Sequence, residues 1–165
     1  MKLLSPIIIL TIILSSCADI SEKKLTDYVN PFLGTATLWE PEDLGYVRTW
    51  EERTWGAEVF PGSSLPNAMV QISPVTQFRS GAGYQYEDTV IYGFAHTNKG
   101  HWNLLHFPLL PATGEVVPTD YASEYNHDNE SASPGYYQVF LERYGINAEL
   151  TSTLRSGFQI GRAHV

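Results

Sequence analysis

The chain is short of cysteine, of basic residues and of helical pattern, and each shortage excludes a class of structure. Its one cysteine, Cys17, among 165 residues excludes a disulfide within the chain. Ten Lys and Arg residues stand against eighteen Asp and Glu residues, which gives a net charge of −8. The basic residues are scattered, so we predict no nucleic-acid partner. Apolar residues at helical spacing are not sustained anywhere, which argues against an α-helical fold.

The first residues have the composition of a signal that directs a protein out of the cytoplasm. A short positive start precedes an apolar stretch from Leu3 to Leu14. Crossing a bilayer requires roughly 20 apolar residues, and this stretch is shorter. We therefore interpret residues 1–17 as a signal peptide, to be set aside in any argument about the fold.

The motif LSSC at residues 14–17 resembles a bacterial lipobox. In that motif the signal is cut before the cysteine, whose thiol then carries a diacylglyceryl group. We therefore predict lipidation at Cys17, with residues 18–26 as a polar tether. The protein would be lipid-anchored to a membrane of the bacterial cell envelope, in the periplasm or at the cell surface. The alternative is a buried or free thiol at Cys17.

The last residues, IGRAHV, carry no strand pattern that the sequence reveals. They are encoded by ATC GGA AGA GCA CAC GTC, a run that resembles the start of a common sequencing adapter. A preceding CAG codon for Gln159 would extend the match. We therefore expect residues 159–165 to be a non-native tail and residues 27–158 to be an incomplete domain; the alternative is a genuine C-terminus.

Short runs of strand-forming residues recur along the remaining chain and predict an all-β fold. In the clearest run, Tyr137, Val139 and Leu141 alternate with polar residues, and a second alternating set follows at residues 146–154. With Gly145 in the turn between them, the pattern predicts a hairpin with one buried face. Pro and Gly punctuate the other runs. We predict antiparallel strands arranged as a β-sandwich.

Three histidines at a spacing of five residues, His96, His101 and His106, raise the question of a metal site. On a strand, the middle side chain would point to the opposite face, and on a helix the three would fan out by about 140° per step. Neither geometry brings three imidazoles to one ion, so we predict no metal site. The chain also lacks a G-x-S-x-G motif, so we predict no serine nucleophile. We interpret its loop carboxylates as solvated charges; the alternative is a glycosidase pair brought together by the fold.

The segment that holds these histidines, GFAHTNKGHWNLLHFPLLP at residues 93–111, has the composition of a sugar site. Pyranose rings present a C–H face and a rim of hydroxyls, so sugar sites combine aromatic platforms with polar donors and acceptors. His96, His101, Trp102 and Asn103 form such a mixture. The alternative is that Trp102 caps the core and that the polar groups satisfy the backbone.

Four segments, in order along the chain, resemble the start of the family 92 glycoside hydrolases. They are DYVNPFLGT at 27–35, EVFPGSSLPNAMVQISPVTQ at 58–77, GYQYEDTVIYGFAHT at 83–97 and PGYYQVFLERYGINAELTSTLRSGF at 134–158. The resemblance implies that this is the N-terminal β-sandwich of a two-domain exo-α-mannosidase, the parent enzyme, whose (α/α)₆ barrel is absent here. It implies inverting hydrolysis of terminal α-mannosides of glycans, assisted by Ca²⁺. The catalytic carboxylates and the calcium ligands would lie on the barrel, so the chain alone would be inactive.

The resemblance also implies which residues of the sandwich face the domain junction. His96 and Thr97 match the GFSHTHLSG pattern of many relatives, whereas residues 98–103 depart from it and match a subgroup with TNKGHWN. This departure leaves the linkage preference open. The loop before Phe60 is placed at the junction by analogy. The expected substrate contacts are Trp55, Glu58, His96, His101, Trp102 and Asn103.

Two other interpretations stay open at this point. In the first, the sandwich acts alone as a glycan-binding surface lipoprotein without catalytic activity. In the second, it is a scaffold whose aromatic loop only packs against the barrel, so that changes in the loop would affect stability and not substrate selectivity.

Overall fold

The computed structural model describes residues 23–38, 45, 47, 56–76, 81–99 and 102–163, with only the backbone at 98, 99 and 102. The predicted signal peptide and Cys17 lie outside these ranges, as do Trp55 and His101. In the described ranges the strands are β1 (Ser63–Ser64), β2 (Gln71–Val75), β3 (Val90–Ile91), β4 (Gly93–Ala95), β5 (Asn98–Lys99), β6 (Trp102–Asn103), β7 (Ser123–Glu124), β8 (Glu130–Ser133), β9 (Tyr136–Leu141), β10 (Ile146–Ser152) and β11 (Gly157–Ala163). Three 3₁₀ helices accompany them, at Leu25–Tyr28, His127–Asn129 and Glu142–Tyr144. No helix within these ranges has the length and apolar character needed to span a membrane.

The longest strands form one antiparallel sheet in the order β11-β10-β9-β8. Along β9 every second residue is buried, and β10 alternates in the same way from Ile146 to Leu150. Alternation of this kind places one face of the sheet on a core and leaves the other in water. The predicted hairpin is confirmed, with Gly145 at φ 60° after the 3₁₀ turn. Its second strand ends at Ser152, however, so the predicted extension to Leu154 is wrong.

A second sheet, in the order β1-β2-β4, covers the buried face of the first. Ile72 on β2 and Phe94 on β4 belong to the same hydrophobic cluster as Val139 and Leu150. The rings of Phe94 and Tyr137 meet edge to face with centroids 6.5 Å apart. Burying a large apolar side chain contributes about 1.5–3 kcal/mol, so this layer between the sheets stabilises the fold. The predicted all-β antiparallel sandwich is confirmed.

Strand β11 pairs with β10 over its whole length, from Ser152 opposite Gly157 to Ile146 opposite Ala163. The prediction that the last residues carry no strand is therefore wrong for residues 160–163. A strand of this kind pairs through backbone N–H and C=O groups, which almost any residue supplies. Because the pairing does not depend on the side chains, the non-native origin of residues 159–165 stays a prediction.

Candidate functional site

A narrow cleft with a volume of about 20 Å³ lies where three irregular segments meet, at residues 34–37, 56–59 and 81–85. Backbone hydrogen bonds join the segments: the Ala57 N–H donates to the Gly34 carbonyl at 3.1 Å, and the Tyr86 N–H donates to the Thr35 carbonyl at 3.2 Å. Gly34 has φ 87°, and a Cβ on it would lie 2.8 Å from Cβ of Ala57. Glycine is therefore required for this close approach.

Glu58, one of the predicted substrate contacts, lines this cleft. Its φ of 53° is a left-handed conformation that non-glycine residues seldom adopt. Glu58 also borders a second, mainly apolar groove that includes Val29, Phe60 and Pro134. The carboxylate thus stands between a polar cleft and an apolar groove, which is a suitable place for a group that receives ligand hydroxyls.

Gln85 is a cleft residue that the sequence analysis missed. It is 7% exposed, and its backbone N–H donates to Oγ1 of Thr76 at 2.9 Å. Its side-chain Oε1 is buried and has no hydrogen-bond partner among the described residues. An unsatisfied buried acceptor is unfavourable by about 1–3 kcal/mol, so this atom favours a ligand that donates a hydrogen bond. The adjoining Asp88 carboxyl has its pKa raised by burial, an effect that a hydrogen bond with Thr76 partly offsets.

Behind the cleft lies a buried carboxylate, Glu130, with 1% of its side chain exposed. The Tyr84 and Tyr137 hydroxyls donate to its Oε1 at 3.0 and 2.6 Å, and Nδ1–H of His127 donates to its Oε2 at 2.6 Å. Burial, followed by the nearby negative charge of Glu130, raises the pKa of both tyrosines well above the ordinary value. Because Tyr84 also lines the cleft, this network fixes the cleft wall to the main sheet.

His96, at the end of β4, contacts a backbone segment rather than the cleft. Its Nδ1 lies 3.0 Å from the carbonyl oxygen of Phe107, and its backbone N–H donates to the His106 carbonyl at 3.4 Å. Gly157 packs on the other side of the ring, since a Cβ there would lie 3.1 Å from Cδ2 of His96. These contacts place His96 between the two sheets' ends, and substrate contact by His96 stays a prediction.

Asn103 connects the same segment to the cleft. Its Oδ1 accepts from the Leu105 N–H at 2.8 Å, and its Nδ2 donates to Oγ of Ser73 at 3.3 Å. Its backbone N–H donates to the carbonyl of Gly81, a cleft residue, at 2.6 Å. Trp102 pairs with Lys99 through the backbone. Asn103 therefore lies next to a residue that lines the cleft, while His101 and Trp55 lie outside the described residues.

The described residues contain no group of three His, Cys, Asp or Glu side chains that is arranged to hold a metal ion. The chemistry that they do offer is that of recognition: acceptor oxygens at Glu58 and Gln85 in a cleft whose wall is fixed by a buried hydrogen-bond network.

The fold defines a class of protein, an antiparallel β-sandwich domain, and a family model identifies which family it belongs to. The N-terminal domain of glycosyl hydrolase family 92 matches residues 28–160. The chain belongs to this family. No curated protein sequence compared with the chain matches it.

Solved structures of the same family superimpose on the chain. A family GH92 α-mannosidase of Bacteroides thetaiotaomicron, solved with mannoimidazole, shares 35% identity with a TM-score of 0.69, over 86% of this chain and 18% of that one. The GH92 glycosyl hydrolase ccman5 shares 25% identity with a TM-score of 0.62, over 82% and 18% of the two chains. A family GH92 inverting mannosidase of the same Bacteroides species, 21% identical with a TM-score of 0.60, supports the fold alone. The chain spans less than a fifth of the first two relatives.

Proposed function

We propose that this chain is the sandwich side of the substrate pocket in a parent enzyme that hydrolyses terminal α-mannosides of glycans. The observation that carries the proposal is the family match over residues 28–160, together with the α-mannosidase that is 35% identical to the chain. The parent enzyme is an inverting, calcium-dependent exo-mannosidase, and its (α/α)₆ domain supplies the acid, the base and the calcium ligands. It is held to the bacterial cell envelope by a lipid on Cys17, in the periplasm or at the cell surface.

The chain's own residues bind and orient the sugar in this proposal, without forming or breaking bonds. Glu58 and Gln85 present acceptor oxygens to sugar hydroxyls, and the network around Glu130 keeps the cleft wall rigid. A site that is preorganised in this way lowers the entropy lost when substrate binds. The other expected contacts, Trp55, His96, His101, Trp102 and Asn103, complete the sandwich side of the pocket. Calcium, when bound, supplies positive charge that helps distort the sugar ring.

The substitution Gln85→Leu in the parent enzyme tests this role. Because it removes a buried unsatisfied acceptor, we expect stability to be unchanged or higher, while kcat/KM for an aryl α-mannoside falls. Loss of one hydrogen bond between neutral groups, about 0.5–1.5 kcal/mol, corresponds to a fall of roughly two- to twelvefold. Thr151→Val is the control, since it also removes one side-chain hydrogen bond, from the Thr151 hydroxyl to the Gly135 carbonyl at 2.9 Å, away from both candidate sugar sites. An unchanged kcat/KM in Gln85→Leu would argue against the role.

A second candidate function, a glycan-binding surface lipoprotein, is favoured by one further observation. A shallow hollow of about 540 Å³ on the main sheet is lined by residues that include Asn129, Gln138, Phe140 and Asn147. Amide side chains beside an aromatic ring suit a neutral sugar. In this case the 165-residue chain itself binds mannosides in calorimetric titration, and Asn147→Ala weakens that binding.

A further inference from the structure

Residues 104–109 contain two strained positions that the proposed pocket does not explain. Leu105 has φ 54° and Phe107 has φ 52°, the left-handed conformation. A bulky residue there is unfavourable, and such strain persists only where surrounding contacts enforce it. Left-handed residues at 105 and 107 interrupt the extended backbone, so the side chains do not alternate between two faces as they do in a strand.

Three polar side chains each hydrogen-bond to one backbone group of residues 105–107, the stretch that includes both strained positions. Oδ1 of Asn103 accepts from the Leu105 N–H at 2.8 Å, and Oγ1 of Thr97 accepts from the His106 N–H at 3.2 Å. Nδ1 of His96 lies 3.0 Å from the Phe107 carbonyl and must be the protonated nitrogen, because a carbonyl only accepts. Consecutive residues 105, 106 and 107 are thus each fixed by a side chain from outside the segment.

The result is an apolar surface presented to solvent. Phe107 is 77% exposed, Leu109 56% and Leu104 43%. The segment from 104 to 109, LLHFPL, contains no Asp, Glu, Lys or Arg. Absence of charge with an exposed aromatic residue at the centre is the composition of an interface core. Three exposed apolar side chains within six residues of a folded domain indicate a surface that a partner covers.

We propose that residues 104–109, the docking segment, pack against the downstream part of the parent enzyme, with Phe107 as the anchor. This inference rests on the proposed function for the existence of that partner. The solved relatives provide the reason for choosing it, since the chain matches only 18–19% of their length and most of the polypeptide lies beyond the match. A sugar fits the segment less well, because His106 is its one polar side chain and a sugar presents a rim of hydroxyls.

The test compares Phe107→Ala with Val117→Ala, a control at an exposed valine outside the docking segment, in the parent enzyme. We expect Phe107→Ala to lower the Tm by at least ~2 °C and to speed proteolytic cleavage between the domains about tenfold, while Val117→Ala does neither. Phe107→Leu, which keeps an apolar side chain, restores part of the loss. An unchanged Tm with a raised KM would overturn the inference in favour of a ring that stacks on sugar. An unchanged Tm and KM would overturn it too.

A double-mutant cycle tests the clamp, by which we mean the hydrogen bonds from His96, Thr97 and Asn103 to the backbone of residues 105–107. Thr97→Val removes the acceptor for the His106 N–H and should lower the Tm of the parent enzyme alone, but add little once Phe107 is alanine. Coupling of this kind is expected only when both residues act on one contact. Additive effects would contradict the clamp. If the wild-type parent enzyme fails to hydrolyse mannosides, the proposed function fails, whereas the Tm and proteolysis results still decide the docking segment.

Discussion

Residues 130–163 and residues 56–109 differ in how their backbone is organised. The first region is a four-stranded antiparallel sheet whose buried residues alternate along β9 and β10. The second contains strands of two to five residues and, among the described residues, every non-glycine position with positive φ: Glu58, Asn67, Leu105 and Phe107. Most residues of the buried core cluster belong to the regular region, whereas the docking segment and most of the cleft lining belong to the irregular one. Substitutions in the two regions should therefore separate stability from function.

The largest expected effect is in the regular region, at Leu150→Ala. Leu150 is fully buried in the core cluster, and truncation of a buried leucine destabilises by about 2–5 kcal/mol. Urea unfolding followed by tryptophan fluorescence measures the change. Leu154→Ala, at a residue 54% exposed in the following turn, should shift the midpoint far less, and a similar shift in both variants would remove the distinction.

The next effect is expected at Glu130→Gln, where the two regions meet. An amide keeps the shape of the side chain but loses the charge that accepts from Tyr84, Tyr137 and His127. Hydrogen bonds to a charged group contribute about 1.5–3 kcal/mol, so we expect a loss in that range by the same unfolding measurement. Unchanged stability would show that the buried network does not hold the regions together.

A smaller effect is expected at Gly83→Ala, in the irregular region. Gly83 has φ 78°, and a Cβ on it would collide with the Asn103 side chain. The left-handed conformation costs an alanine about 1–2 kcal/mol. We expect this modest loss of stability together with a clear loss of kcat/KM in the parent enzyme, because Asn103 is displaced. Kinetics that follow stability alone would contradict the division between the regions.

The smallest effect is expected at Asp120→Asn, on the surface. Arg143 forms a two-pronged contact with Asp120 at 3.1 and 3.0 Å, and this hydrogen bonding, then its charge, lowers the pKa of Asp120. Because the folded state has the lower pKa, the ionised carboxylate stabilises the fold fully when the pH is above the ordinary pKa of aspartate. This stabilisation is lost as the pH falls through the lowered pKa. The variant should therefore have a slightly lower Tm at neutral pH, and the two proteins should converge once the pH falls below the lowered pKa of Asp120. A difference that persists in acid would show another cause.

The regular region was predictable because its signal is local. Alternation at residues 137–141 and 146–150 marks the buried face regardless of what covers it. The irregular region depends on distant contacts: Glu130 and Tyr84 are 46 residues apart, and nothing in the sequence joins them. Left-handed φ at Leu105 and Phe107 is equally hidden, because tertiary contacts impose it against local preference. For His96 and Asn103, the observed side-chain bonds include backbone groups, which is the alternative that composition alone left open.

The most direct test of the account is an assay of α-mannoside hydrolysis by the purified 165-residue chain and by the parent enzyme encoded in continuous genomic DNA. The account predicts turnover by the parent enzyme only, with loss of that turnover when calcium is chelated. Hydrolysis by the 165-residue chain alone would contradict the claim that this sandwich recognises sugar while another domain performs the chemistry.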